Sequence, residues 1–412
     1  MTNHTLILIL LEIAVIIGLA RLVGLAFMRI RQPPVVGEIV AGIMLGPSLL
    51  GLVSPTAFAT LFPPATAPFL YLLAQLGLII FMFLVGLELN PKYLRGKIRI
   101  AVITSNVSIL LPFLLGAVLA YTVLFSINDA PGTSFTAFTL FVGAAMSITA
   151  FPVLARIITD RNLQQTPLGT LALTCASIDD ISAWLLLATA IAVTRTNSMA
   201  DALPTLLYLA VFILLMVTAG RWALQRLGRQ YNRTGELTQW MLTLIYVAVL
   251  LSAIVTEGIG IDVIFGGFLL GVLMPKNTGL TEALKARTET FVATFLLPIF
   301  FAYSGLNTHF EVLNTPWLWG VCGLAIAAAV IGKYSGVYLA ARGCGVDPPQ
   351  ARALGLLMNT RGLTELIVLN IGLKLHVISP VIFSMFVLMA LVTTIMTSPL
   401  LQRVYPLRTD ER

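Results

Sequence analysis

Two adjacent acids, Asp179 and Asp180, stand inside the apolar run from Leu168 to Thr194, in the context T-C-A-S-I-D-D-I-S-A-W. Ionisable side chains at such depth are costly, and they mark ion or proton pathways by default. Neighbours on a helix project about 100° apart, so the two carboxyls do not share a proton face to face. One faces a cavity while the other turns toward a partner. The natural counter-ion is Lys333, in A-A-A-V-I-G-K-Y-S-G, which lies too far from Arg342 and its loop to snorkel comfortably. Arg361 and Glu365 are four apart and so share a helix face. They form either a purely structural pair or a compensation for the partial negative charge where broken-helix carbonyls converge. Glu12 and Glu38 are further acids in apolar segments, with conduit and packing roles both open.

Holding these groups requires membrane spans. Of 412 residues 58% are apolar and only 10% charged, with a mean hydropathy of +0.95. Soluble domains carry about 25% charged residues, so the chain reads as an all-α polytopic membrane protein. Its net charge of +7 does not indicate a nucleic-acid partner, because the basic residues are spread over short loops. Cys175, Cys322 and Cys344 have no metal-ligand spacing and read as small packing residues. No cleavable signal is expected, since the first apolar run is long enough to span.

Apolar stretches near 5–28, 34–52, 66–89, 98–124, 133–157, 167–194, 202–222, 237–256, 259–275, 287–306, 315–341, 349–373 and 377–402 predict thirteen spans. The basic residues provide an independent check, because they gather in cytoplasmic loops. Alternate loops hold twenty of the twenty-five Lys and Arg residues, against Arg195 and Lys374 on the other side. Arg21, Lys333 and Arg361 fall within spans. This bias puts the N-terminus outside and the C-terminus in the cytoplasm.

Two spans look interrupted, the fifth at Ser147-Ile-Thr-Ala-Phe-Pro152 and the twelfth at Asn359-Thr-Arg-Gly362. An odd offset of seven spans makes equivalent segments antiparallel. The expected organisation is a single membrane domain, 1–412, with a first repeat over 1–195, a linker helix and loop over 196–236, and an inverted second repeat over 237–405. Such layouts are common in secondary transporters.

Four segments carry a family resemblance: Gln32 to Gly51, S-I-T-A-F-P-V-L-A-R from Ser147, S-I-D-D-I-S-A-W, and M-N-T-R-G-L-T-E-L-I-V-L-N-I-G-L from Met358. Together they resemble the membrane domain of monovalent cation:proton antiporters of the second cation:proton antiporter family. The resemblance implies a thirteen-helix homodimer with a dimerisation part and a mobile core in which two crossed broken helices hold the ion site. It makes Asp180 the ion- and proton-binding carboxylate, pairs Asp179 with Lys333, and puts Thr149 beside the site. Potassium-efflux members commonly have a neutral residue before the essential aspartate and a cytosolic nucleotide-binding domain. This chain has Asp179 there and ends soon after its last span, so no soluble regulatory domain is expected.

The expected activity is Na⁺/H⁺ exchange by alternating access, with both ions competing for Asp180 and oxygens of Thr149 or Ser177 completing the Na⁺ shell. Neither a cofactor nor an enzymatic activity is expected. K⁺/H⁺ exchange is the alternative, and the N-T-R-G-L-T-E-L segment also resembles that of potassium-handling and plant members. A Na⁺-coupled organic-anion symporter fits less well, because Arg361 and Lys333 are the only evident anion donors. An intramembrane aspartyl protease needs two aspartates facing from separate helices, and no other buried aspartate is expected within a span. The expected location is a bacterial plasma membrane, with an internal photosynthetic membrane as the alternative.

Overall fold

The computed structural model describes residues 3–30, 32–89, 98–164, 166–196, 198, 200–276 and 279–405. Of the loop charges counted above, Arg31, Lys92, Arg95, Lys97, Arg408 and Arg412 lie outside the described residues. All regular structure among the described residues is helical. Ten helical segments are long and apolar enough to cross a membrane, and two shorter apolar helices accompany them.

The helices pack as two bundles. One contains α1 (Asn3–Arg29), α2 (Pro34–Leu45), α4 (Ala67–Glu88), α11 (Gln239–Ile259), α12 (Val263–Leu273) and α14 (Leu297–Leu306). A short α3 (Pro55–Leu61) lies between α2 and α4. The other bundle contains α5 (Ile98–Leu119), α6 (Phe135–Ser147), α7 (Phe151–Asp160), α8 (Pro167–Thr196), α15 (Pro316–Gly343), α16 (Pro348–Met358), α17 (Leu363–Lys374) and α18 (Pro380–Val404). At the periphery α9 (Leu203–Leu215) runs through a π turn into α10 (Arg221–Thr234).

Lipid tails offer no hydrophobic drive between helices, so close backbone approach carries much of the packing. In the first bundle Gly42 of α2 meets the backbone of Phe301 in α14, and Gly305 of α14 meets that of Gly42; a side chain at either position would collide. Gly86 and Gly271 bring α4 and α12 together in the same way.

Several boundaries differ from the sequence reading. The second span ends at Leu45, where Gly46-Pro47 diverts the chain into a π turn over Pro47–Gly51. The seventh runs on to Thr234 as α10, and the tenth starts at Leu280 as α13 (Leu280–Phe291). Both extensions are charged, so a hydropathy window drops them.

The interruptions have local causes. Ile148 and Ala150 are extended, and Pro152 starts α7 where its missing N–H costs nothing. Gly362 adopts φ 149° and ψ −123°, which only glycine adopts readily. The two breaks meet, since the Ala150 N–H donates to the Thr360 carbonyl at 2.9 Å.

Candidate functional site

The two aspartates of α8 have opposite environments. Asp179 is fully buried, and its Oδ2 accepts from Lys333 Nζ at 3.0 Å, Ser108 Oγ at 3.0 Å and Thr149 Oγ1 at 2.9 Å. Its Oδ1 accepts from Ser105 Oγ. Lys333 spends its other two protons on the carbonyls of Ser108, at 3.1 Å, and Ser147, at 2.5 Å. Each charge therefore has an ion partner and hydrogen bonds for its remaining valences, the condition under which a buried pair is tolerated.

Asp180 is 1% exposed, and neither carboxyl oxygen has a hydrogen-bond partner. The Phe151 N–H in the first turn of α7 acts on this carboxyl electrostatically, but outside hydrogen-bond geometry. A bare carboxylate at this depth costs several kcal/mol. A bound proton or a bound cation cancels that cost.

Other sequence candidates fall around this centre. Besides Asp179, the Thr149 hydroxyl reaches the Met358 carbonyl at 3.0 Å, so it joins the Asp179 network and the second break rather than Asp180. Ser177 Oγ donates to the Leu173 carbonyl of its own helix at 2.7 Å. Arg361 Nη1 lies 2.7 Å from Glu365 and donates to the Ala145 carbonyl at 2.9 Å, while Nη2 donates to that of Met146. Arg361 and Lys333 thus satisfy the carbonyls of Ala145, Met146 and Ser147 at the end of α6. Glu12 lies apart in α1, accepting from Thr66 Oγ1 at 2.6 Å. Glu38 in α2 has Arg21 as its charged neighbour.

Sequence reasoning missed the donors Ser105 and Ser108. Their spacing of three in an apolar helix was the available signal. It also missed Asp262, which is 4% exposed and accepts from the Ile264 N–H at 3.2 Å. The expectation of no further buried aspartate within a span is therefore corrected. Asp262 sits at the N-terminus of α12, where a carboxylate satisfies an orphan amide.

One cavity reaches the site, and a second opens at the opposite end of α4 and α12. A cavity of about 480 Å³ at the basic end reaches Phe151 and Pro152 and is lined by Glu88, Arg156, Lys276 and Lys285. There Lys276 Nζ ties the carbonyls of Gly86, Leu87 and Gly271 at 2.7–3.0 Å, joining the ends of α4 and α12. Burial pushes its ammonium down to about 7, against the pull of Glu88. Lys285 lies 2.5 Å from Glu88. At the opposite end a cavity of about 380 Å³ is lined by Tyr71, Gln75, Asp262, Tyr303, Asn370 and Lys374. Trp184, one helical turn beyond Asp180, packs on Phe265 and Phe268 of α12.

Comparison with known proteins identifies the family of the chain. A family model described as "Sodium/hydrogen exchanger, transmembrane" matches residues 13–403. The Na(+)/H(+) antiporter NhaS4 of Synechocystis sp. is 63% identical over 406 residues, covering 98% of this chain and 99% of the relative. Cation/H(+) antiporter 17 of Arabidopsis thaliana is 40% identical over 404 residues, and K(+)/H(+) antiporter 1 of Saccharomyces cerevisiae 33% over 414, each across 98% of this chain. The chain spans about half the length of those two relatives, 49% and 47%. The sodium proton antiporter MjNhaP1 of Methanocaldococcus jannaschii superposes with a TM-score of 0.65, covering 97% of this chain and 96% of its own. At 16% identity that likeness speaks to the fold alone. The chain belongs to the sodium/hydrogen exchanger family of transmembrane proteins.

Proposed function

We propose that the protein exchanges Na⁺ for H⁺ by alternating access, with the two ions competing for Asp180. The observation that carries this reading is the contrast within α8: Asp179 is saturated by donors, while Asp180 is buried with both oxygens unpartnered. A carboxylate that must always hold something, but has no fixed partner, suits a carrier whose loaded forms cross and whose empty form does not. Oxygens of Thr149, Ser177 and unwound backbone are the proposed additional cation ligands. The relative named as a Na(+)/H(+) antiporter supports sodium as substrate.

In the same reading the chain has thirteen spans, with α16 and α17 forming one broken span. It has inverted repeats over 1–195 and 237–405 about a linker at 196–236, and it works as a homodimer. Its N-terminus is outside and its C-terminus cytoplasmic, in a bacterial plasma membrane. A second reading, K⁺/H⁺ exchange at the same carboxyl, is favoured by the yeast relative named for potassium.

Everted membrane vesicles holding a respiration-driven proton gradient and a pH dye test this directly. Addition of Na⁺ alone collapses the gradient, and Asp180→Asn abolishes the response. Collapse by K⁺ but not Na⁺ selects the second reading. Exchange in the Asp180→Asn variant overturns both.

A further inference from the structure

The peripheral helix α10 carries four arginines, Arg221, Arg226, Arg229 and Arg233, and their arrangement is not random. At 100° per residue, Leu224, Leu227, Gly228 and Tyr231 form one face. Leu224 and Gly228 are buried and the other two half-buried, so this face docks on the protein. The opposite face is a stripe of Trp222, Arg226, Arg229 and Arg233, all exposed and within about 60° of arc. Only Arg221 lies off it. Among the described residues no carboxylate lies within 4.0 Å of any of these arginines. The Arg226 guanidinium rests over the Trp222 ring, 3.7 Å from its centroid.

The depth of the stripe follows from the helix it continues. The apolar segment beginning at Leu203 needs about 20 residues to cross the hydrocarbon core, which brings the boundary to Trp222. Trp222 is 53% exposed, and so is Trp240, at 66%, at the start of the next helix on the same side. Exposed tryptophans gather at such boundaries. At 1.5 Å per residue, Arg226 then lies about 6 Å beyond the boundary, Arg229 about 10 Å and Arg233 about 16 Å. The headgroup layer is about 5–7 Å deep. Arg226 is within it, Arg229 reaches back into it with its long side chain, and Arg233 lies past it. A general excess of basic residues on one side of a membrane accounts for the number of arginines, but not for their confinement to the outward face.

We infer that the Trp222, Arg226 and Arg229 stripe of α10 is a binding site for the phosphate of an anionic phospholipid headgroup. The two guanidinium forks have no acidic partner to displace, and planar bidentate donors suit a phosphodiester. The indole marks the level at which the acyl chains begin.

The test uses the purified full-length protein, stripped of lipid in detergent micelles. Phosphatidylglycerol, phosphatidylcholine and inorganic phosphate are titrated separately, with binding read by native mass spectrometry and by the thermal midpoint. Phosphatidylglycerol binds and raises the midpoint, while phosphatidylcholine and inorganic phosphate do neither. Each interfacial arginine is worth about fivefold in affinity, so Arg226→Gln with Arg229→Gln weakens phosphatidylglycerol binding roughly 25-fold. Arg221→Gln and Arg233→Gln change it less than about threefold, because Arg221 lies off the stripe and Arg233 lies past the headgroup layer. Equal losses from all four arginines, equal binding of the two lipids, or saturation by inorganic phosphate alone each overturn the inference. Should the double variant fold poorly, Arg229→Gln alone has an expected loss of about fivefold, and an unchanged affinity there refutes the site equally well.

Discussion

The contrast between the paired aspartates predicts that one substitution removes function without stability and its neighbour does the reverse. Asp179→Asn removes the carboxylate that neutralises Lys333, leaving an ammonium at zero exposure with only two carbonyl acceptors at full strength. Breaking a buried pair by removing one partner costs about 3–5 kcal/mol. With an unfolding entropy of about 2 cal/mol/K per residue, a chain of 412 residues loses about 3–6 °C in thermal midpoint. Asp180→Asn breaks no hydrogen bond, so its midpoint stays within about 2 °C of the native one by the same scale. Sodium separates the two again. A cation at ten times its dissociation constant stabilises by about 1.4 kcal/mol, and this increment is absent in Asp180→Asn. The assay is a thermal melt in detergent with and without NaCl, choline chloride holding ionic strength constant, beside the vesicle exchange assay. A sodium-dependent shift surviving in Asp180→Asn, or Asp179→Asn as stable as the native protein, refutes the division of roles.

Four further outcomes follow from the geometry. Arg361→Ala strands Glu365 and also two carbonyls of α6, whereas Glu365→Ala leaves Arg361 with both carbonyls; thermal melts should rank Arg361→Ala worst by about 1–3 kcal/mol, with the double variant recovering part of its loss, and simple additivity contradicts this. In a cysteine-free background an impermeant thiol reagent labels a cysteine at Asn307 from outside and one at Arg229 only from inside, and reversed labelling overturns the proposed topology. Lys276 has a folded value near 7 against an ordinary value of 10.5, so the unfolded chain binds more protons between these limits and native stability rises with pH there; relative to Lys276→Met the native midpoint should gain between pH 7 and 10, and a constant difference refutes the shift. Finally, two protons per sodium are expected if the Asp179 to Lys333 pair re-forms as sodium binds. An imposed membrane potential then changes the exchange rate in proteoliposomes and no longer does so in Lys333→Gln, while a native protein indifferent to potential shows one-for-one exchange.

What the sequence made legible was local or charged. Long apolar runs, Pro152 and Gly362 each announce themselves, because a backbone in lipid has few ways to satisfy its polar groups. The adjacent aspartates were visible for the same reason, although their numbering alone gives only the angle between them. Which carboxyl turns to Lys333 depends on where α5 and α15 lie beside α8, and no feature of α8 encodes that. Ser105 and Ser108 were passed over because serine in a membrane helix can satisfy its own backbone. Their service to Asp179 is a property of the neighbour. Lys276 was counted as a loop charge, yet it closes two helix ends that are distant in sequence. Asp262 was overlooked because a hydropathy window absorbs one acid at the end of an apolar run.

The joined breaks bear on how the protein can move. Thr149 is tied to Met358, Ala150 to Thr360, and Arg361 to the end of α6. Neither unwound stretch can shift alone without tearing these bonds in a medium that offers no water to replace them. The first bundle is equally unyielding, because backbone meets backbone at Gly42 and Gly305. Between the bundles the contacts are of two kinds: Trp184 packs on Phe265 and Phe268, while a few side chains bridge the seam, among them Asn370 Nδ2 donating to Ser304 Oγ at 2.8 Å and Arg195 lying 3.2 Å from Glu257. Under the proposed alternating access, each bundle would therefore move as one stiff part, exchanging only these few bridges, while Asp179, Lys333, Arg361 and Glu365 travel together with their partners.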